Sequence, residues 1–162
     1  MQTLLPIAEK IAAILKDRKQ NIAVAESTTG GLVSAALLSV PGASTYYVAG
    51  AVVYTLKARR TMLDVPDAAF AHIKSVTEEG AMILARAART RFGVTWTIAE
   101  IGASGPTGNR YGDKAGHSCI AVAGPVERSL TVETGSPDRI ANMRTFSAAA
   151  LNLLLESMAA AV

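Results

Sequence analysis

Residues 21–32 read Asn-Ile-Ala-Val-Ala-Glu-Ser-Thr-Thr-Gly-Gly-Leu, an apolar run followed by four polar side chains and two glycines. A short apolar run of this kind is typical of a buried strand, and from Leu32 to Leu37 the apolar residues recur at helical spacing. The stretch therefore predicts a strand, a tight turn and a helix. Because strands that alternate with helices form layered α/β domains, this order decides the fold class.

The rest of the chain continues the alternation. Apolar spacing predicts a first helix over 4–15 with Thr3 as its cap, and Thr77 begins a helix that Gly93 ends. The run Tyr46–Thr55 lacks clean alternation, which predicts a central strand covered on both faces. The other predicted elements are a short basic helix at 56–63, strands at 94–101, 117–123 and 128–133, and a last helix capped by Ser136 or Asp138 that reaches Leu155 or beyond.

These elements predict one α/β domain over residues 1–162, with three αβα layers and a mostly parallel sheet. Only four residues separate the strands 117–123 and 128–133, so that pair is expected to be an antiparallel hairpin. No repeat, low-complexity tract or linker divides the chain. A domain of this length buries enough apolar surface to fold without a disulfide or a structural metal.

Composition narrows the function classes. The chain has 162 residues, 50% of them hydrophobic, and a single cysteine, which together exclude a disordered protein and an internal disulfide. No apolar run approaches the roughly 20 residues of a membrane span. Charges interrupt the first 20 residues, so no secretion signal is recognised and the cytoplasm is the expected location.

The charge balance favours a small anionic ligand. Sixteen Lys and Arg residues oppose 13 Asp and Glu residues, which gives a net charge of +3. The positive residues are dispersed and aromatic residues make up only 5% of the chain, so nucleic acid is not an expected partner. A small anion suits this mild excess better.

The first candidate site is the turn from Glu26 to Gly31. It lies at the carboxyl end of a predicted strand and leads into a helix, where free N–H groups and the helix dipole favour a phosphate or carboxylate. The alternative is structural, because Ser27, Thr28 and Thr29 are also the residue types that cap helices.

The second candidate is the stretch from Gly102 to Gly116, which contains five glycines in 15 residues. Such a density indicates a loop whose backbone approaches something closely, often a ligand. The loop matches neither the Walker phosphate loop nor the dinucleotide fingerprint. A flexible surface loop is the alternative.

Metal and thiol chemistry find little support in the sequence. His72 and His117 lie far apart, and neither has a second metal ligand at the usual spacing, so no metal or other cofactor is expected. Cys119 lies in an apolar run and is expected to be a small core residue. A triad of Ser27, His117 and either Glu100 or Asp113 can be written down, but no spacing requires it.

Four motifs taken in order resemble one known family. They are Ala25-Glu-Ser-Thr-Thr-Gly-Gly-Leu32, Ser39-Val-Pro-Gly-Ala-Ser44, Gly50-Ala-Val-Val-Tyr54 and Gly102-Ala-Ser-Gly-Pro106. Together they are similar to the C-terminal domain of the CinA (competence/damage-inducible) family, which includes stand-alone nicotinamide mononucleotide amidohydrolases. The similarity runs from about Leu5 to Leu155.

The resemblance implies an αβα domain that hydrolyses the carboxamide of nicotinamide mononucleotide to nicotinate mononucleotide and ammonia. It implies Ser27 as the nucleophile and a homo-oligomer as the assembly, and it matches Tyr54 to a family tyrosine. The chain departs from the family at several places, among them the loop residues Asn109-Arg-Tyr-Gly-Asp113, which suggest a divergent branch with an altered or lost substrate. Thr28 replaces a cysteine, and Arg59 stands where the family has the lysine thought to assist the serine, with Lys57 two positions earlier.

Two hypotheses follow. The first is a cofactor-free serine amidohydrolase in which Ser27 attacks, Tyr54 supports proton transfer, and a nucleotide contacts the remaining candidate residues. These are Glu26, Thr28, Thr29, Gly30, Gly31, Arg59, Gly102, Ala103, Ser104, Gly105, Pro106 and Thr107. The second is a nucleotide-binding module without turnover, which Arg59 favours because a guanidinium stays charged and cannot act as a general base.

Overall fold

A five-stranded sheet lies between two helix layers in the computed structural model of the chain, which describes residues 2–161. The strands are β1 (Ile22–Glu26), β2 (Tyr47–Val52), β3 (Trp96–Ala103), β4 (His117–Ala123) and β5 (Arg128–Glu133), in the sheet order β2-β1-β3-β4-β5. The helices are α1 (Leu5–Asp17), α2 (Leu32–Leu38), α3 (Leu56–Leu63), α4 (Glu78–Phe92) and α5 (Arg139–Ala160). The predicted αβα fold class is confirmed.

The sheet is mixed, with four strands pointing one way. β1 pairs in parallel with β2 and β3, whereas β4 runs antiparallel to both β3 and β5. The predicted β4–β5 hairpin is therefore present, and β3–β4 is a second antiparallel pair. No helix lies between β3 and β4, so the chain returns directly beside β3 instead of crossing over the sheet.

β2 lies at the edge of the sheet, and the prediction of a central strand is wrong. Val48 and Val52 on this strand are 50% and 44% exposed. Its apolar residues indicated strand structure, but the place of a strand in the sheet depends on the crossover connections. Helix α2 carries the chain from β1 to one side, and α3 with α4 carries it back to the other side of β1.

Each face of the sheet has its own apolar core. On one face Trp96, Ile98 and Ile120 pack with residues of α1, α2 and α5. On the other face Ile101 and Ala121 pack with α3 and α4. Because side chains alternate between the faces of a strand, Glu100 lies on the same face as Ile98 and Trp96.

Most predicted helix ends are observed. Thr77 accepts a hydrogen bond from the Gly80 N–H, Asp138 accepts one from Ala141, and Gly93 ends α4 with φ +62°. The predicted cap at Thr3 is wrong, because α1 begins after Leu4 without any side-chain cap. Pro6 in the first turn has no N–H that would need an acceptor. Across residues 2–161 no helix is both long and apolar enough to cross a bilayer.

Candidate active site

A pocket of about 380 Å³ lies beyond the carboxyl ends of the three parallel strands. In open α/β sheets ligands bind at this edge. Ser27 follows β1, Tyr54 follows β2 and Gly102 lies near the end of β3. With Arg59 on α3, four predicted site residues converge here. The full lining is Ser27, Tyr54, Thr55, Leu56, Lys57, Arg59, Val76, Gly102, Asn109, Arg110 and Tyr111.

The turn after β1 presents Ser27 to this pocket. Ser27 is 6% exposed, and its backbone N–H donates to Glu100 Oε2 at 3.2 Å. The Thr29 N–H donates to the same oxygen at 2.9 Å. The contact between Ser27 and Glu100 is thus made by the backbone, which leaves the serine hydroxyl for the pocket.

Glu26 occupies the N-terminus of α2. Its carboxylate accepts hydrogen bonds from the N–H groups of Gly31, Val33 and Ser34 at 2.8–3.0 Å. An external anion at these N–H groups would have to displace a carboxylate that is fully buried. The Glu26 carboxylate thus occupies the N–H groups that the two sequence-based alternatives gave to an anionic ligand or to the hydroxyls of Ser27–Thr29.

Glu100 is the second fully buried carboxylate beneath the turn. Besides the two N–H groups, it accepts hydrogen bonds from the hydroxyls of Thr28, Thr29 and Ser118. Thr28 and Thr29, which the sequence analysis placed against the ligand, therefore hold this carboxylate. A charged residue within an apolar strand is rare unless paired, and this was the signal in the sequence.

Arg59 is buried at the wall of the pocket, with 6% of its surface exposed. Its Nη1 donates to Ser75 Oγ at 2.9 Å, and the guanidinium lies 5.3 Å from the centre of the Phe70 ring. The buried Nε–H has no hydrogen-bond partner among residues 2–161. Burial lowers the pKa of Arg59 from its ordinary value, and the negative charge of Glu100 opposes this shift in part.

A short loop closes the pocket with Asn109, Arg110 and Tyr111. Asp113 fixes this loop, because it accepts a hydrogen bond from Asn109 Nδ2 at 2.9 Å and forms an ion pair with Lys74. Burial alone would raise the pKa of Asp113, but the bonds from Lys74 and Asn109 and the nearby His117 lower it. Sequence reasoning gave no ligand role to Asn109 or Tyr111, because loop shape decides which side chains turn inward.

We expect Asp113→Asn to lower the free energy of unfolding by about 1–3 kcal/mol at pH 7, since asparagine lacks the charge and replaces one of the two buried acceptor oxygens with an NH₂ donor. The pKa of Asp113 is lower in the folded state than in the unfolded chain. Its contribution to the free energy of unfolding is therefore complete above the ordinary aspartate pKa near 3.9. It is lost as the pH falls through the lower folded-state value. The difference in Tm between wild type and variant, measured from pH 7 to pH 3, should therefore shrink.

Asp67→Asn is the matched control for this experiment. Asp67 forms an exposed ion pair with Arg60, and such pairs contribute little to stability. A Tm difference for Asp113→Asn that stays constant down to pH 3 would contradict the assignment.

Of the predicted wall from Gly102 to Thr107, only Gly102 lines this pocket. A Cβ at Gly102 would lie 2.7 Å from the His117 carbonyl oxygen, and one at Gly105 would lie 2.6 Å from the Pro137 oxygen. These glycines are thus required by close packing within the chain. The Ser104 carbonyl accepts from Asn142 and that of Gly105 from Arg139, which turns Ala103–Gly105 toward α5, while Pro106 and Thr107 are exposed.

The other predicted residues do not join the pocket. Gly30 and Gly31 form the turn before α2 and have positive φ. His117, at the start of β4, forms a hydrogen bond with Glu133. The triad considered from the sequence, with Ser27 and His117, is therefore not assembled. Cys119 is 1% exposed, as expected of a core residue. No cluster of three metal-binding side chains occurs within residues 2–161.

Comparison with known proteins identifies close relatives. The family model of the CinA C-terminal domain matches residues 4–158. A CinA-like protein from Chloroherpeton thalassium is 35% identical over 95% of this chain and 38% of its own length. One from Anaeromyxobacter sp. strain K is 35% identical over 91% of this chain and 36% of its own. The chain therefore spans about a third of the length of these relatives.

Solved structures show the same fold. A crystal structure of a competence-damaged protein (CinA) superfamily protein from Enterobacter cloacae superposes with a TM-score of 0.88 and 27% identity, covering 96% of this chain and 92% of that one. A competence/damage inducible protein from Agrobacterium tumefaciens gives a TM-score of 0.88 at 25% identity, with 94% of both chains covered.

Proposed function

Because the chain belongs to the CinA C-terminal domain family, we propose that it hydrolyses the carboxamide of nicotinamide mononucleotide, or of a related nucleotide, to a carboxylate and ammonia. One observation carries the proposal. A serine at the end of β1 shares a pocket with Lys57, Arg59 and Arg110, so a nucleophile lies beside a site for an anionic group. A nucleotide amide has both parts, a carbonyl to attack and a phosphate to hold.

Ser27 is the proposed nucleophile. Its Oγ attacks the carboxamide carbon, its proton passes to a base, and the carbonyl oxygen takes the negative charge of the tetrahedral intermediate. When that intermediate collapses, the C–N bond breaks and the nitrogen takes up a proton and leaves as ammonia. Water then attacks the acyl-serine, which releases the carboxylate and restores Ser27.

Proton transfer in this scheme falls to residues at the mouth of the pocket. Besides Ser27, the lining contains Tyr54, Lys57 and Tyr111 as groups that can exchange a proton. Lys57 is exposed, and a substrate that fills the pocket would cover it. A lysine can take the place of the histidine as general base in serine hydrolases, so we assign the base to Lys57 and a supporting hydrogen bond to Tyr54.

The phosphate is assigned to the cationic wall. Arg59 and Arg110 line the pocket and no carboxylate is among its lining residues. The unpartnered Nε–H of Arg59 supports the assignment, because a buried donor without an acceptor is costly and a phosphate oxygen would satisfy it. The volume of about 380 Å³ suits a mononucleotide-sized ligand.

The test is ammonia release from nicotinamide mononucleotide by the purified protein, with binding of the same nucleotide measured by calorimetry. Turnover supports the amidohydrolase. Binding without turnover supports the second hypothesis, a nucleotide-binding module, for which the presence of Arg59 in place of the family lysine is the favouring observation. An absence of both turnover and binding would overturn the proposal.

We expect Arg59→Met to weaken binding of the nucleotide about 10- to 100-fold, because a charged hydrogen bond to phosphate is worth about 1.5–3 kcal/mol. Methionine keeps the packing against Phe70 while it removes the charge. Calorimetric Kd values would measure the loss. Arg128→Met on the exposed strand β5 is the matched control and should leave Kd unchanged. Equal Kd values for the wild type and Arg59→Met would contradict the assignment of the phosphate.

A homo-oligomer and a cytoplasmic location stay predictions. The assembly agrees with the apolar side chains that edge strand β2 and the residues after it expose, which include Val48, Val52 and Tyr54. An exposed edge strand of this kind is a surface on which a second chain can pair.

A further inference from the structure

We propose that Glu100 is a positioning residue that sets the place of the Ser27 hydroxyl in the pocket, an inference that rests on the proposed function. The contact is direct, because Glu100 Oε2 accepts the N–H of Ser27 at 3.2 Å and that of Thr29 at 2.9 Å. Two backbone hydrogen bonds from one turn to one oxygen fix the position and the orientation of the turn relative to the sheet.

Glu100 is itself held rigidly. It is fully buried, and Oε1 accepts hydrogen bonds from the hydroxyls of Thr28 and Ser118, the latter at 2.8 Å. Oε2 accepts a third hydroxyl, Thr29 Oγ1, at 3.1 Å. Because five donors surround the carboxylate, the Glu100 side chain is held in one position. Its hydrogen bonds in turn hold the turn after β1 in place.

The strand that carries Glu100, β3, is the central strand of the five-stranded sheet. β3 lies between β1 and β4, and Ile98 and Trp96 on the same face as Glu100 are fully buried. Thr28 also packs closely against β3, because a Cβ added at Gly102 would lie only 2.9 Å from Thr28 Oγ1. Glu100 thus connects the buried centre of the sheet to the turn that carries the proposed nucleophile.

The length of the side chain is therefore predicted to matter more than its charge. Glutamine has the reach of glutamate, and its oxygen can accept from Ser27 and Thr29 while its NH₂ faces Thr28 and Ser118. Those hydroxyls can turn to accept, and Ser118 already has a second acceptor in the Ile101 carbonyl at 3.2 Å. Aspartate keeps the charge but withdraws the carboxylate by one methylene.

The test compares Glu100→Gln with Glu100→Asp. We expect Glu100→Asp to lower kcat roughly 100-fold with KM changed less than threefold, because a misplacement of about 1 Å in a reacting group has an effect of this size. Glu100→Gln should stay within about fivefold of the wild-type kcat. A role in stability alone would lower Tm in both variants and leave the kcat of the folded protein unchanged.

A second readout separates this inference from the proposed function. The rate at which a fluorophosphonate labels Ser27, followed by mass spectrometry, depends on the position of the hydroxyl and needs no nucleotide. Slow labelling in Glu100→Asp and near-normal labelling in Glu100→Gln support the inference, even if the wild type releases no ammonia from the nucleotide. Equal labelling in both variants and wild type, slower labelling in Glu100→Gln than in Glu100→Asp, or no labelling of wild-type Ser27 would overturn it.

Discussion

Ser27→Ala is expected to lower ammonia release by three or more orders of magnitude, which is the size of loss seen when a catalytic nucleophile is removed. Binding of the nucleotide should remain, because the cations proposed to hold the phosphate lie on α3 and on the loop 109–111, away from Ser27 in the chain. Kinetics of ammonia release and a calorimetric Kd would measure the two effects on the same preparation.

The fold should tolerate this change. The contact of Ser27 with Glu100 is made by the backbone N–H, which alanine keeps, and Gly31 is the residue at the cap position of α2. We therefore expect a change in Tm of at most a few degrees. Ser39→Ala at the far end of α2 is the matched serine control and should keep full activity. Undiminished ammonia release by Ser27→Ala would remove Ser27 from the mechanism.

Local signals in the sequence were sufficient for most of the fold. Helix α4 combines a threonine cap, two acidic residues in its first turn and a terminal glycine, and each acts within a few residues of its own position. The antiparallel return of β4 and the edge position of β2 depend on contacts between residues distant in the chain. Apolar content is equally compatible with either place in the sheet, so pattern alone did not distinguish them.

The candidate site, like the fold, was predicted only in part from the sequence. The place of Ser27 at the pocket follows from the end of a strand, because ligands bind at the carboxyl ends of strands in open α/β sheets. Tyr54 came from the family resemblance, and Gly102 from the density of glycines in its loop. The role of Glu26 did not follow, since the sequence pattern shows free N–H groups at the start of α2 but not that Glu26 folds back onto them. Arg110 and Tyr111 depend on Asp113, whose partner Lys74 lies 39 residues away.

Lys57→Met is expected to lower kcat by about 10²- to 10⁴-fold, the usual contribution of a general base. Methionine has a similar length and no proton to exchange, and an exposed residue in the first turn of α3 tolerates it. Because Lys57 also lines the pocket, a change in Kd of a few fold is expected beside the loss in kcat. Kinetics of ammonia release and a calorimetric Kd, measured on the same preparation, would separate the two effects.

The variant Arg59→Lys tests whether the general base must be located at residue 59. If Lys57 is the base, this variant has no new chemistry to offer, and it should only weaken nucleotide binding, because a lysine cannot reproduce the bidentate contact of a guanidinium with phosphate. The double variant Lys57→Met, Arg59→Lys should then be as inactive as Lys57→Met alone. A wild type without turnover that gains ammonia release through Arg59→Lys would instead identify the chain as a binding module, in which the arginine holds the anion at the place where an active relative keeps its lysine.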